Sequence, residues 1–396
     1  MKSIKKLLSN KKTGPAWAVL AGHLAVSVLL QLLTFAVNAA TTPTDPLLGE
    51  SIQFISNNRL FAVDLETTIF KPEGSGPFPV VVINHGKDFG PNRLQSRARY
   101  LPATREFLQR GYVVVVPMRQ GFANSGGAAV GEGCNIAGNG NAQAGDIRAV
   151  VSWIEKQPWA DTTRMVMMGQ SHGGLTTLSY AQEPHPGFKV FVNFAGGLKY
   201  NNSCLWESAL KDAYETYGER TKVASLWFYG ENDSFFPPQV IQPAFQAYVK
   251  AGGRAELVAY GSFGVDSHAM FGSIAGLPIW WPKVELRLQA ASLPTAIIYP
   301  QYARKKSTDT PPPSGFAAIE DIARVPNLND AGRNAYEVFL TKTAPRGFAL
   351  GPAGVFGWAA GGEEPFTKAL NTCSQRANTS CKLYAVDGDV VWKVDK

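Results

Sequence analysis

The strongest constraint on this chain is a series of short apolar runs separated by helix-like segments. Pro79-Val80-Val81-Val82-Ile83-Asn84 and Tyr112-Val113-Val114-Val115-Val116-Pro117 are almost wholly β-branched. They lack the in–out alternation of a strand with one wet face, so they suit strands covered on both sides. Arg164-Met165-Val166-Met167-Met168, Val190-Phe191-Val192-Asn193-Phe194, Ser225-Leu226-Trp227-Phe228-Tyr229 and residues 255–260 continue the series. Between the second and third runs, Ile147, Val150, Val151 and Ile154 recur at helical spacing within residues 142–156. This order predicts an α/β fold, with a mostly parallel twisted sheet flanked by helices.

An open α/β sheet places its chemistry beyond the carboxyl ends of its strands. After the third run stands Gly169-Gln170-Ser171-His172-Gly173-Gly174, a Gly-x-Ser-x-Gly pattern followed by a second amphipathic segment at 175–182. Such a turn lifts a serine hydroxyl clear of the sheet and aims a helix N-terminus at it. A serine nucleophile needs a base, because an alcohol is almost never ionised at neutral pH. The chain has five histidines. His23 lies in an apolar N-terminal segment, His172 inside the serine turn, His85 after the first run, and His185 in the turn Glu183-Pro184-His185-Pro186. His268, in Asp266-Ser267-His268 just beyond the last run, is the candidate base. Asp233, in Gly230-Glu231-Asn232-Asp233, is the candidate acid that orients it, with Glu231 and Asp266 as competitors. The backbone N–H groups of His172 and of Lys87, in the loop Asn84-His85-Gly86-Lys87, are the candidate oxyanion donors.

Taken together, residues from about 65 to 290 resemble the α/β-hydrolase superfamily, and within it the dienelactone hydrolase-like serine branch. The resemblance is carried by Pro77 to Gly86, Arg119-Gln120-Gly121-Phe122-Ala123-Asn124-Ser125-Gly126-Gly127, the serine turn, Gly230 to Asp233 and Asp266-Ser267-His268. It implies cofactor-free hydrolysis of small or polymeric carboxylic esters by Ser171, His268 and Asp233. A serine peptidase or amidase with the same triad, or a non-catalytic binding protein on the same scaffold, are the alternatives. Dienelactone hydrolases proper use a cysteine nucleophile, so lactone specificity does not carry over. Only about 27 residues, 197–223, separate the fourth and fifth runs, so any lid there is small.

The formal charge of +7 does not predict a nucleic-acid partner. Lys2, Lys5, Lys6, Lys11 and Lys12 supply five of those charges, and removing them leaves +2. That lysine-rich start, the apolar residues 16–36 and the small residues of Val37-Asn38-Ala39 predict an export signal cleaved after Ala39, with an uncleaved anchor as the alternative. No later stretch is long and apolar enough to span a bilayer, and a periplasmic or secreted protein is expected. In an oxidising compartment the four cysteines predict Cys373–Cys381 and Cys134–Cys204 bridges, the alternative being free buried thiols. The proline-rich stretch 305–315 predicts a linker between a catalytic domain, 40–304, and a small C-terminal α+β module, 316–396. In that module residues 346–350, 355–359 and 381–386 read as strands and 365–375 as a helix.

Overall fold

The computed structural model describes residues 44–88, 90–130, 133–200, 204–303, 311–342, 345–360 and 365–393. The predicted export signal and most of the predicted linker lie outside these residues. The main sheet has eight strands: β1 (Glu50–Ser56), β2 (Asp64–Phe70), β3 (Phe78–Asn84), β4 (Val113–Pro117), β5 (Ala160–Gln170), β6 (Phe188–Phe194), β7 (Ser225–Tyr229) and β8 (Ala255–Ala259). Their order is β1-β2-β4-β3-β5-β6-β7-β8. The β1–β2 and β2–β4 pairs are antiparallel, and every pair from β4 through β8 is parallel.

The continuous apolar runs have a direct cause. Successive side chains of a strand point to opposite faces, and here each face has its own core. Val81, Ile83, Val114, Val116, Val166 and Met168 join Phe107 of α1 (Leu101–Gln109) and Trp280 and Trp281 of α6 (Leu277–Ala290). Their immediate neighbours Val80, Val82, Val113, Val115, Met165 and Met167 join Ile147, Val150 and Ile154 of α2 (Ile136–Ile154). Fully burying one such side chain is worth roughly 1.5–3 kcal/mol, and the buried polar residues Asn84 of β3 and Asn193 of β6 are hydrogen-bonded to Thr177 and Tyr229. A third core joins α3 (His172–Tyr180), α4 (Trp206–Arg220) and α5 (Pro238–Lys250) through Leu175, Leu178, Leu210, Tyr214 and Tyr248, around Trp227 of β7.

The antiparallel edge formed by β1 and β2 escapes the apolar-run pattern because its polar residues are buried in matched pairs. The Glu50 carboxylate receives Arg97 and Arg99, both ion pairs at 2.5 Å. Glu66 accepts the Asn124 backbone N–H at 3.0 Å and its side-chain amide at 3.1 Å. The segment between β6 and β7 holds the crossover helix α4 in place of a separate lid domain.

The C-terminal part is a second sheet of order β10-β9-β11-β12, formed by β9 (Arg346–Leu350), β10 (Phe356–Ala360), β11 (Lys382–Val386) and β12 (Asp389–Val390). From α7 (Asp330–Leu340), Tyr336 and Phe339 pack on Phe348, Leu350 and Tyr384. On the other face, Ala369 and Cys373 of α8 (Pro365–Ala377) meet Ala349. Disulfides join Cys134 to Cys204 and Cys373 to Cys381, the pairing that local proximity and elimination predict. The first ties the loop before α2 to the loop before α4, across 70 residues of sequence. Loop-closure entropy rises with the length closed, so replacing both Cys134 and Cys204 by serine is expected to lower unfolding free energy by roughly 4 kcal/mol, against roughly 2.5 kcal/mol for Cys373 and Cys381. Chemical denaturation of the two double variants checks the order.

Candidate active site

Ser171 occupies the single residue between β5 and α3, with φ 54° and ψ −124°. A non-glycine residue held there stores strain of about 1–3 kcal/mol, and the surrounding backbone leaves it no alternative. Its own N–H donates to Phe194 O of β6 at 2.9 Å. A Cβ on Gly169 would lie 2.2 Å from Gly173 O, and one on Gly173 would lie 2.0 Å from Asn84 O. The helix therefore starts hard against the ends of β3 and β5, with His172 in its first turn, where backbone N–H groups have no intrahelical acceptor.

His268 stands in a single helical turn, Ser267–Ala269, beyond β8. Its Nδ1 lies 3.0 Å from Asp233 Oδ2 and 3.2 Å from Oδ1. Asp233 is buried, and its Oδ1 also accepts the backbone N–H groups of Phe235 and Phe236, each at 2.9 Å. Phe235 and Phe236 pack their rings 4.5 and 5.7 Å from the imidazole. Gln170 Nε2 donates to His268 O at 2.7 Å, which ties the histidine turn to the residue before Ser171.

The competing acids have other work. Asp266 Oδ1 accepts the backbone N–H groups of His268 at 2.9 Å and Ser234 at 3.2 Å, while Oδ2 accepts the Ser234 hydroxyl at 2.6 Å. Burial pushes its carboxyl up, but the bonds from Ser234 and His268 outweigh this and hold it below the usual aspartate range. Asp266 thus stitches the acid loop to the base loop without touching the imidazole. Glu231 accepts the exposed Ser262 hydroxyl at 3.2 Å.

The remaining described histidines are held by other partners. His85 is buried; its Nε2 accepts the Arg119 N–H at 3.0 Å, and its Nδ1 faces Gly86 O at 2.6 Å. His172 Nε2 meets Asn139 Oδ1 at 2.8 Å and the Gln143 amide. Burial first, then the nearby Arg119 charge, pushes both imidazoles well below their usual pKa, so both stay neutral. His185 pairs with Glu155 at 3.0 Å, before β6 and hence at the opposite edge of the parallel sheet.

The candidate oxyanion loop adjoins Ser171. A Cβ on Gly86 would lie 3.3 Å from Ser171 Cβ. The Gly86 N–H donates to Tyr100 Oη at 3.0 Å, and the Asp88 N–H to Gln95 Oε1, also at 3.0 Å. Both flanking amides are therefore engaged elsewhere. Lys87 and His172 line one cleft together with Gln120, Asn139, Gln143 and Tyr200. Gln95, Tyr100 and Gln170 were not legible as site residues, because each acts through a contact that forms only in the folded chain.

Residues 62–225 match the family model of the X-Pro dipeptidyl-peptidases, S15 family. No curated protein matches the chain. Among solved structures, the chain is similar to an esterase of Pyrococcus furiosus, at 14% identity over 65% of this chain and 97% of that one, with a TM-score of 0.46. A candidate dienelactone hydrolase of Klebsiella pneumoniae is 19% identical over 61% of this chain and 98% of its own, TM-score 0.44. Dipeptidyl peptidase 4 of Porphyromonas gingivalis is 18% identical over 61% of this chain and 35% of its own, TM-score 0.43. The sheet order and the strained serine turn are those of the α/β-hydrolase fold, and the match over residues 62–225 points to hydrolase chemistry.

Because the Gly173 Cβ would collide with strand backbone, Gly173→Ala is expected to cost roughly 1–3 kcal/mol in stability and to displace Ser171. Thermal unfolding together with a hydrolysis assay would register both losses.

Proposed function

We propose that this protein is an exported serine hydrolase that cleaves carboxylic esters through Ser171, His268 and Asp233. The observation that carries the reading is the buried Asp233 carboxylate on His268 Nδ1 at 3.0 Å, on a turn tethered through Gln170 to the residue before Ser171. With Nδ1 committed to Asp233, Nε2 is the nitrogen that accepts the Ser171 proton as the hydroxyl attacks the ester carbonyl. The tetrahedral oxyanion is held by the N–H groups of His172 and Lys87. His268 returns the proton to the leaving alcohol, and an acyl-serine remains. Water, deprotonated by the same imidazole, releases the acid and restores the serine. Export is supported by the two disulfides, which persist in oxidising compartments.

Labelling with a fluorophosphonate probe tests the nucleophile: wild type labels, and Ser171→Ala does not. Equal labelling of both would remove Ser171 from the mechanism. Hydrolysis of nitrophenyl esters is expected to fall at least about 10⁴-fold in Ser171→Ala and roughly 10³–10⁴-fold in Asp233→Asn.

The S15 match favours a second reading, cleavage of a dipeptide from an N-terminus. Recognition of a free ammonium group calls for a carboxylate, and the described residues that line the small cleft at Lys87 and His172 include none. Turnover of nitrophenyl esters well above that of Gly-Pro-nitroanilide is therefore expected; the opposite preference would make the protein a peptidase. For export, N-terminal sequencing of the protein recovered outside the cytoplasm should begin at Ala40, and a chain retaining Met1 would refute cleavage.

A further inference from the structure

We propose that Gln95 is a positioning residue for the oxyanion hole: its side-chain amide clips residues 86–88 so that the Lys87 N–H faces the nucleophile. The inference rests on the reading of Ser171 as nucleophile and adds a residue that neither the motifs nor the triad contain.

Gln95 is 8% exposed and follows a short turn, Asn92–Leu94, to which its own N–H bonds at Asn92 O, 3.2 Å. From there its amide spans the Lys87 residue on both sides. Nε2 donates to Gly86 O at 3.1 Å, and Oε1 accepts the Asp88 N–H at 3.0 Å. One partner is an acceptor and the other a donor, so the amide fits in one orientation only. Neither a carboxylate nor a hydrocarbon of that length satisfies both.

The Gly86 carbonyl has a second donor. His85 Nε2 accepts the Arg119 N–H, which places the imidazole proton on Nδ1, 2.6 Å from Gly86 O. Two donors thus fix the direction of this carbonyl. In a trans peptide the N–H of the next residue points the opposite way, so the Lys87 N–H is turned away from Gln95 and His85. Gly86 itself abuts Ser171. Gln95 makes none of the described contacts to Ser171, His268 or Asp233, and its effect is exerted through the loop.

Steady-state kinetics on the full chain with a nitrophenyl ester tests this. Gln95→Met removes both bonds at nearly constant volume, whereas Gln95→Glu keeps the acceptor for Asp88 and loses the donor to Gly86. Losing an oxyanion donor outright costs about 10²–10³ in kcat, so a displaced one is expected to cost about tenfold or more. Both variants should lose kcat in this way, with KM within about twofold of wild type and the thermal midpoint lowered by no more than the several degrees that two lost hydrogen bonds are worth. Affinity for an aryl trifluoromethyl ketone, whose serine adduct carries the oxyanion, should fall by the same factor as kcat/KM. A Gln95→Met enzyme with kcat within twofold of wild type would overturn the proposal. So would a worsening of kcat and KM together with a larger fall in thermal midpoint, which marks a merely structural role; if the Met variant does not fold, Gln95→Glu decides by the same criteria. Ser171→Ala is run alongside. If it retains activity, the nucleophile reading fails; if it is inactive while Gln95→Met is fully active, only the role of Gln95 falls.

Discussion

Where the serine turn crosses the end of β3, two backbones come closer than any side chain allows. The Gly173 Cα faces Asn84 O at a distance that excludes even a methyl group, and this approach drives α3 down onto the sheet. Ser171 is left at the apex with a backbone conformation it would not adopt by itself. The strain is sustained because β3 and β5 are anchored by cores on both faces. Burial of the central strands is therefore what sustains the turn at Ser171. The hydroxyl inherits its position from the sheet, and every other group of the site is arranged around it.

Three loops follow the strand ends on the side of the sheet that carries Ser171, and each is held by side-chain hydrogen bonds. The histidine loop is bound to the serine turn by Gln170 and to the acid loop by Asp266. The acid loop is bound back through Asn232, which accepts the Phe263 N–H and the Ser267 hydroxyl. The loop after β3 is held by Tyr100, Gln95 and His85. Hydrogen bonds of this kind contribute only about 0.5–1.5 kcal/mol each. Their larger consequence is preorganisation, which the proposed acyl transfer would need to within about an ångström. The Cys134–Cys204 bridge extends the same restraint to the loops that precede α2 and α4.

Much of this molecule was legible before folding. The central strands stand out as uninterrupted apolar runs because each is covered on both faces, and the observed β3 to β8 fall on the six runs. The serine turn is readable because its glycines answer a steric demand that no other residue meets. The candidate base follows by elimination among five histidines, and its imidazole lies against the Asp233 carboxylate. Both disulfides, and β9, β10, β11 and α8 of the C-terminal part, were equally accessible, whereas α7 and β12 were not read from the sequence.

The sequence by itself determined which strands are central, where the turn carrying Ser171 falls, and which histidine is left to serve it, since burial and backbone sterics act on local residue type. Only the tertiary structure decided that Asp233, rather than Asp266 or Glu231, meets the imidazole, because all three are acids in turns and differ only in the direction their loops impose. It alone also revealed the antiparallel edge of β1 and β2, whose buried Glu50 and Glu66 look solvent-facing until their partners from other segments arrive. Gln95 belongs with these. An amide side chain carries no local signal of its use, and its role depends on a carbonyl and an N–H that another loop presents to it at the right separation.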